Sequence, residues 1–256
     1  MAVSAFVLIF LFVLYLMFKK RKTIHQEIIK HKYVYLFLLF IVLLNFFVGI
    51  NSVFYWPGID SIEYTMQAFA INKVNKFVFV CDAPSYSVLI SLYQKIFGVN
   101  VFSHLKLNVI LASLFIVLFF VFAMIIFKSY TVSLISIVLL MLSKVFFGSV
   151  KIGLPSLMSL FFLVLTFIIL EYAIKTRLKY IYFLAGLALG FTVQVYYFEI
   201  IFLPFLILYI ILKHRKRSVI STIFSKNVLA KLLIFTLAFV ISIFPFVILQ
   251  KMSSGS

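Results

Sequence analysis

The chain has little of what soluble proteins are built from. Of its 256 residues, six are acidic, five are proline, eight are glycine and one, Cys81, is a cysteine. A single cysteine excludes an internal disulfide framework and leaves the redox compartment unread. Charged residues make up 11%, against about a quarter in a soluble domain, and apolar residues 66%, against about half. That balance excludes an ordinary cytosolic enzyme, a disordered tail and a secreted disulfide scaffold. No GxGxxG, GxxxxGK[ST] or GxSxG string occurs, which removes the dinucleotide, phosphate-loop and serine-hydrolase readings. No His, Cys, Asp or Glu cluster has the spacing of a metal-ligand set.

What the chain does have is apolar length. Mean hydropathy is +1.26. Its 34 Phe and 14 Tyr are too many for a solvated surface and normal for one that faces lipid. A helix needs about 20 apolar residues to cross about 30 Å of hydrocarbon. Charge-poor runs cover residues 2–18, 33–55, 107–127, 130–150 (with Lys144 near its end), 152–170, 180–212 and 232–249. The first has no basic residue before it and Lys19-Lys20-Arg21-Lys22 after it, so it reads as an uncleaved anchor with its N-terminus outside. The run 180–212 contains only Glu199 as a charge and has a lysine at each end. As one helix it would measure about 50 Å, so the spacing predicts a hairpin that turns near Gln194–Glu199.

These runs predict an all-α integral membrane protein of about eight transmembrane helices. On that alternation 16 of the 23 basic residues, with all four arginines, fall inside and 7 outside, as the positive-inside rule requires. The net charge of +17 therefore points to membrane lipid headgroups and topology rather than to nucleic acid. The whole chain reads as one membrane domain. Residues 1–32 form an extra anchor with a basic cytoplasmic loop, and residues 33–256 form the core.

One predicted external loop, from Trp56 to about Lys106, is long enough to do chemistry. Ile62, Met66, Phe69 and Ala70 recur at helical spacing, with Gln67 and Lys73 on other faces, which predicts an amphipathic helix lying in the interface. A second interfacial helix is predicted from Pro84, which suits a first turn, through Val88, Leu89, Leu92, Ile96 and Phe97 to Gly98. Each helix begins beside an aspartate, Asp60 or Asp82. Four of the six acids, Asp60, Glu63, Asp82 and Glu199, fall outside, three of them in this loop, and carboxylates at membrane depth are costly and tend to mark function. Asp60-x-x-Glu63 also has the spacing of a capping box, which is compatible with a catalytic role because a cap fixes a carboxylate in place. Asp82 before Pro84 also suits a turn, and Lys144 and Lys151 suit cations that reach the outer headgroups. Glu27 and Glu171 read as solvated helix ends inside, and His104 as a span-end residue at the interface.

The order of these pieces resembles a known group. A span leads to an outside loop with an acid and a tyrosine four positions on (Asp60, Tyr64), then Pro84-Ser85-Tyr86, then a helix ending Leu92-Tyr93-Gln94-Lys95-Ile96-Phe97-Gly98. A second match is the span Tyr182-Phe183-Leu184-Ala185-Gly186-Leu187-Ala188-Leu189-Gly190-Phe191 after a basic turn. Over about residues 33–250 the chain resembles polyprenyl-phosphate-sugar-dependent glycosyltransferases of the GT-C superfamily, such as the protein O-mannosyltransferases and the lipid A aminoarabinose transferase. It departs from them in the next external loop, where Gly153-Leu154-Pro155-Ser156 carries no acid and Ser156 stands where an aspartate is common. Many relatives have more spans, so the chain reads as a fragment or a reduced member.

The resemblance implies transfer of a sugar, with inversion, from a polyprenyl-phosphate donor to a glycan, lipid or protein acceptor at the extracytoplasmic face of the cell membrane. Asp60 and Glu63 are the catalytic candidates, Asp60 as base. Tyr64, Asp82, Tyr86, Lys144 and Lys151 are the substrate-binding candidates, the lysines beside the leaving phosphate. No cofactor is required, although the outside acids leave room for a divalent cation. Two other classes fit the composition: a cell-surface polysaccharide polymerase or ligase, and a non-catalytic accessory or transport protein.

Overall fold

A computed structural model describes residues 21–51, 59–74, 84–214 and 225–254. Every regular element among them is helical. In chain order they are α1 (Arg21–Lys30), α2 (Lys32–Asn51), α3 (Ile59–Val74), α4 (Pro84–Phe97), α5 (Ser103–Phe127), α6 (Tyr130–Leu142), α7 (Lys144–Ile152), α8 (Ser156–Thr176), α9 (Lys179–Val195), a short 3-10 turn (Tyr197–Ile201), α10 (Phe202–His214) and α11 (Lys226–Ser254).

Five of the described segments are long and apolar enough to cross a membrane: α2, α5, α8, the 3-10 turn with α10, and the first part of α11. A sixth is counted if α6 and α7 form one span. The shorter α9 is apolar over 17 residues. The expected first anchor, residues 2–18, lies outside the described residues. The run 130–150, read from the sequence as a straight span, is bent by 58°. Ser143 adopts an extended conformation there and ends α6 just before Lys144 opens α7. The run 180–212 is broken where the chain turns extended at Tyr196. The Tyr182 hydroxyl near the start of α9 lies 3.3 Å from His214 Nε2 at the end of α10, so the two helices run antiparallel.

Two of the turns between helices share one design. Lys128 closes α5 and Arg177 closes α8, each in the left-handed region (φ 53° and 59°). Each amide bonds back into its helix, to Met124 O and to Ala173 O. An extended residue follows, Ser129 or Leu178, and the next helix begins. A basic residue at that position complements the negative end of the helix dipole, and Ser129 also accepts from the Val132 amide as an N-cap.

The helices cluster into two compact units, one within residues 10–161 and one within 162–256. In the first, α2 buries Leu38, Ile41, Asn45 and Gly49, which stand at helical spacing. A Cβ on Gly49 would lie 2.8 Å from Val109 Cγ1, so the glycine sets how closely α2 approaches α5. Asn45 Nδ2 donates to Ser113 Oγ along the same seam. In the second unit, α9 is buried at every residue from Ala185 to Val195. Its Gly186 and Gly190 press on α11, where added Cβ atoms would meet the Phe235 carbonyl, Ala238 and Ser242. One turn further on, Gln194 Nε2 donates to the Ser242 carbonyl. Small residues four apart with a side-chain amide beyond them are the means by which helices associate without help from water.

Candidate active site

The segment expected to carry the chemistry folds as α3 and α4, packed side by side. Most of the apolar side chains that set the helical spacing lie away from their inner faces. Ile62 and Met66 of α3 are exposed, Met66 at 63%, and Phe69 and Ala70 are half-buried. The buried face of α3 is Tyr64, Thr65, Gln67 and Ala68. On α4, Ile96 and Phe97 are exposed while Ser85, Tyr86, Ser87, Ile90, Ser91 and Gln94 are buried. The pair is therefore polar within and apolar without. Ser87 Oγ donates to Gln67 Oε1 at 2.7 Å, Ser91 Oγ to Asn72 Oδ1 at 2.7 Å, and Asn72 Nδ2 to Gln94 Oε1 at 3.1 Å. Where lipid tails are as apolar as leucine, such bonds rather than apolar contact hold two helices together.

A second polar cluster fastens this pair to α5 and to the bend after α7. The Tyr86 ring meets the Tyr64 ring edge-on at 5.4 Å. The Tyr86 hydroxyl lies 2.9 Å from both Asn108 Oδ1 and the Gly153 carbonyl, and shares its one proton between them. Asn108 Nδ2 donates to the carbonyls of Ser149 and Leu154. Gly153 is left-handed (φ 73°) and has no room for a Cβ against the His104 and Leu105 side chains. His104, expected at the interface, is fully buried; its Nδ1 lies 2.7 Å from Thr65 Oγ1. Burial pushes the Tyr86 phenol well above its ordinary range, with the neighbouring Tyr64 adding to the shift.

The site candidates fall on this frame as follows. The backbone of Asp60 lies in the first turn of α3, which begins at Ile59. Glu63, one turn on, is exposed. Tyr64 and Tyr86 are brought together inside the cluster. Asp82 lies outside the described residues. Lys144 is exposed in the first turn of α7, and Lys151 is half-buried in its last turn. The two lysines are seven residues apart and share a helix face. The carbonyls that Asn108 grips, at Ser149 and Leu154, bracket Lys151. Ser156 Oγ lies 3.5 Å from Ser149 Oγ.

Sequence reasoning missed Asn108, Thr65 and the amide–hydroxyl seam. A signal was present: Ser87, Ser91 and Gln94 stand at i, i+4 and i+7, and Asn108 is a lone amide entering a run of apolar residues. Among the described residues no group of three His, Cys, Asp or Glu side chains converges as a metal site would require.

Residues 82–244 match the dolichyl-phosphate-mannose-protein mannosyltransferase family. That is more than half of the chain. The chain belongs to this family, and so to the membrane glycosyltransferases of GT-C type. Neither the curated proteins nor the solved structures contain a match. The stretch matched by the mannosyltransferase family takes in Asp82, Tyr86, Lys144 and Lys151 and begins after Asp60, Glu63 and Tyr64.

Proposed function

We propose that the chain transfers a sugar from a polyprenyl-phosphate donor to an acceptor hydroxyl at the extracytoplasmic face of the membrane. The acceptor oxygen attacks the anomeric carbon from the face opposite the lipid. The bond from that carbon to the phosphate oxygen breaks, the polyprenyl phosphate leaves with the electron pair, and the configuration inverts. The acceptor proton becomes acidic as the new bond forms, and a carboxylate within reach takes it. Asp60 is that base, and Glu63 orients the acceptor from one turn away or takes the base role itself. Charge builds on the departing phosphate, so fixed cations beside it lower the barrier; Lys144 and Lys151 fill that role. Asp82 contributes a further polar wall for the substrates. Tyr64 and Tyr86 hold α3 against the segment that bears Lys151.

Family membership carries this reading. The cluster around Tyr86 and Asn108 supports it, because it ties α4 to the bend that follows Lys151, and the Tyr64 ring of α3, the helix that bears Asp60, rests on Tyr86. The deciding experiment places the purified chain in lipid nanodiscs with radiolabelled polyprenyl-phosphate mannose and a set of glycan, lipid and peptide acceptors. Transfer by the native chain and its loss in Asp60→Asn are expected. Full turnover by Asp60→Asn would remove Asp60 as the base. Transfer of intact oligosaccharide from a lipid-linked donor, with none of single sugars, would replace the reading by a polymerase.

A further inference from the structure

The second unit buries a cation that forms no ion pair among the described residues. Lys231 on α11 is 2% exposed, and its ammonium meets a ring nitrogen rather than a carboxylate, His214 Nε2 at 2.8 Å. His214 Nδ1 lies 2.9 Å from the Ile210 carbonyl, which only accepts, so Nδ1 carries the proton and Nε2 is the acceptor. The Tyr182 ring lies beneath the same ammonium, 5.5 Å away. Lys179 opens α9 one turn before Tyr182, and Arg177 stands two residues before Lys179 in the turn, so both charges lie at the same end of the unit as Lys231. Arg177 is held at the end of α8 by its left-handed backbone.

Among the described residues no ion pair joins an acid to Arg177, Lys179 or Lys231. Glu171 is engaged by Lys213 at 2.9 Å and by the Tyr209 hydroxyl. Glu199 lies in the turn at the far end of α10. From residue 200 to the end the sequence has no Asp or Glu, while Lys213, Arg215, Lys216, Arg217, Lys226 and Lys231 all fall there. A buried ammonium among like charges is costly unless an anion lies nearby. The surface residues between the cations identify the kind of anion. Leu178 and Tyr180 are exposed and alternate with exposed Arg177 and Lys179, a pattern suited to the level where acyl chains meet headgroups.

We propose that this end of the second unit binds the phosphate of an anionic membrane lipid. The phosphate sits on Arg177 and Lys179, and Lys231 adds fixed positive charge from behind. The basic density of the 213–231 segment points to the cytoplasmic leaflet, where anionic lipids are concentrated. This site is independent of the sugar-transfer chemistry.

The test titrates the purified full chain in detergent with phosphatidylglycerol, phosphatidylcholine or inorganic phosphate, and reads bound lipid by native mass spectrometry and the melting temperature. Phosphatidylglycerol should be retained and raise the melting temperature, and phosphatidylcholine should do neither. Each cation lost from such a surface costs about fivefold in affinity, so Arg177→Gln with Lys179→Gln should weaken phosphatidylglycerol binding about thirtyfold. Lys231→Gln should weaken it further. If that variant fails to fold, the surface pair alone decides. The control pair Lys73→Gln with Lys95→Gln removes two exposed charges from α3 and α4 and should leave binding unchanged. Equal loss in the control pair, or no loss in the Arg177 and Lys179 pair, would overturn the proposal. Saturation of the site by inorganic phosphate as readily as by the lipid would reassign it to a free anion.

Discussion

Adding one methyl group to Gly186 should weaken the second unit measurably. A Cβ at Gly186 would overlap the Phe235 carbonyl oxygen and sit 2.9 Å from Ala238 Cβ. The carbonyl is backbone and has no rotamer to retreat into, so α9 and α11 must separate along the seam. Overpacking of this kind costs about 1–3 kcal/mol. Alanine recovers about 1 kcal/mol because it is the better helix former, leaving a net loss of up to about 2 kcal/mol. For a chain of this size each kcal/mol moves the midpoint by about 2–4 °C, so Gly186→Ala should melt up to about 8 °C lower in detergent micelles. The control lies in the same chain. Gly148 on α7 has nothing within 4 Å of a Cβ, so Gly148→Ala should melt at or slightly above the native temperature. If Gly186→Ala melts no lower than Gly148→Ala, the account of the α9–α11 seam is wrong.

Other expectations follow from the first unit and the proposed chemistry. Asn108→Leu keeps the branched shape but leaves the Ser149 and Leu154 carbonyls without their donor, which should cost about 1–3 kcal/mol; an unchanged denaturation midpoint would show that the bend does not depend on it. Tyr86 ionises at higher pH in the folded chain than in the unfolded one, so its contribution is complete below about pH 10 and is lost as pH rises through the folded value. Stability should therefore fall above pH 10 more steeply in the native chain than in Tyr86→Phe, and parallel melting curves across that range would contradict this. Lys151→Ala should raise the KM for the lipid-phosphate donor and leave the KM for the acceptor unchanged, and equal rises in both would remove its phosphate role.

The break in the run 180–212 was legible because arithmetic alone forbids a straight helix of that length, and Glu199 lies in the turn that breaks it. The small-residue span was legible too, since Gly186 and Gly190 stand four apart in an otherwise bulky stretch. The bend at Ser143 was not, because neither proline nor glycine marks it and serine is tolerated inside helices. The seam between α3 and α4 was not legible for a different reason. Apolar periodicity was read as the lipid-facing side of an interfacial helix, which leaves the side towards the partner helix unspecified. Around these helices the seam is made by Gln67, Asn72, Ser87 and Ser91, and Met66, Ile96 and Phe97 turn away from it. The role of Asn108 could not be inferred from spacing, since its partners are carbonyls some forty residues away in the chain.

The polarity of the α3–α4 pair has a practical consequence. Excised as residues 59–97 and placed in buffer, this piece would present Met66, Ile96 and Phe97 to water. Water would also compete for the amide and hydroxyl partners that hold it shut. Both effects act in the same direction, towards opening and clumping. The catalytic candidates on this segment are best studied in an intact, lipid-supported chain, and a soluble truncation would report on its own collapse.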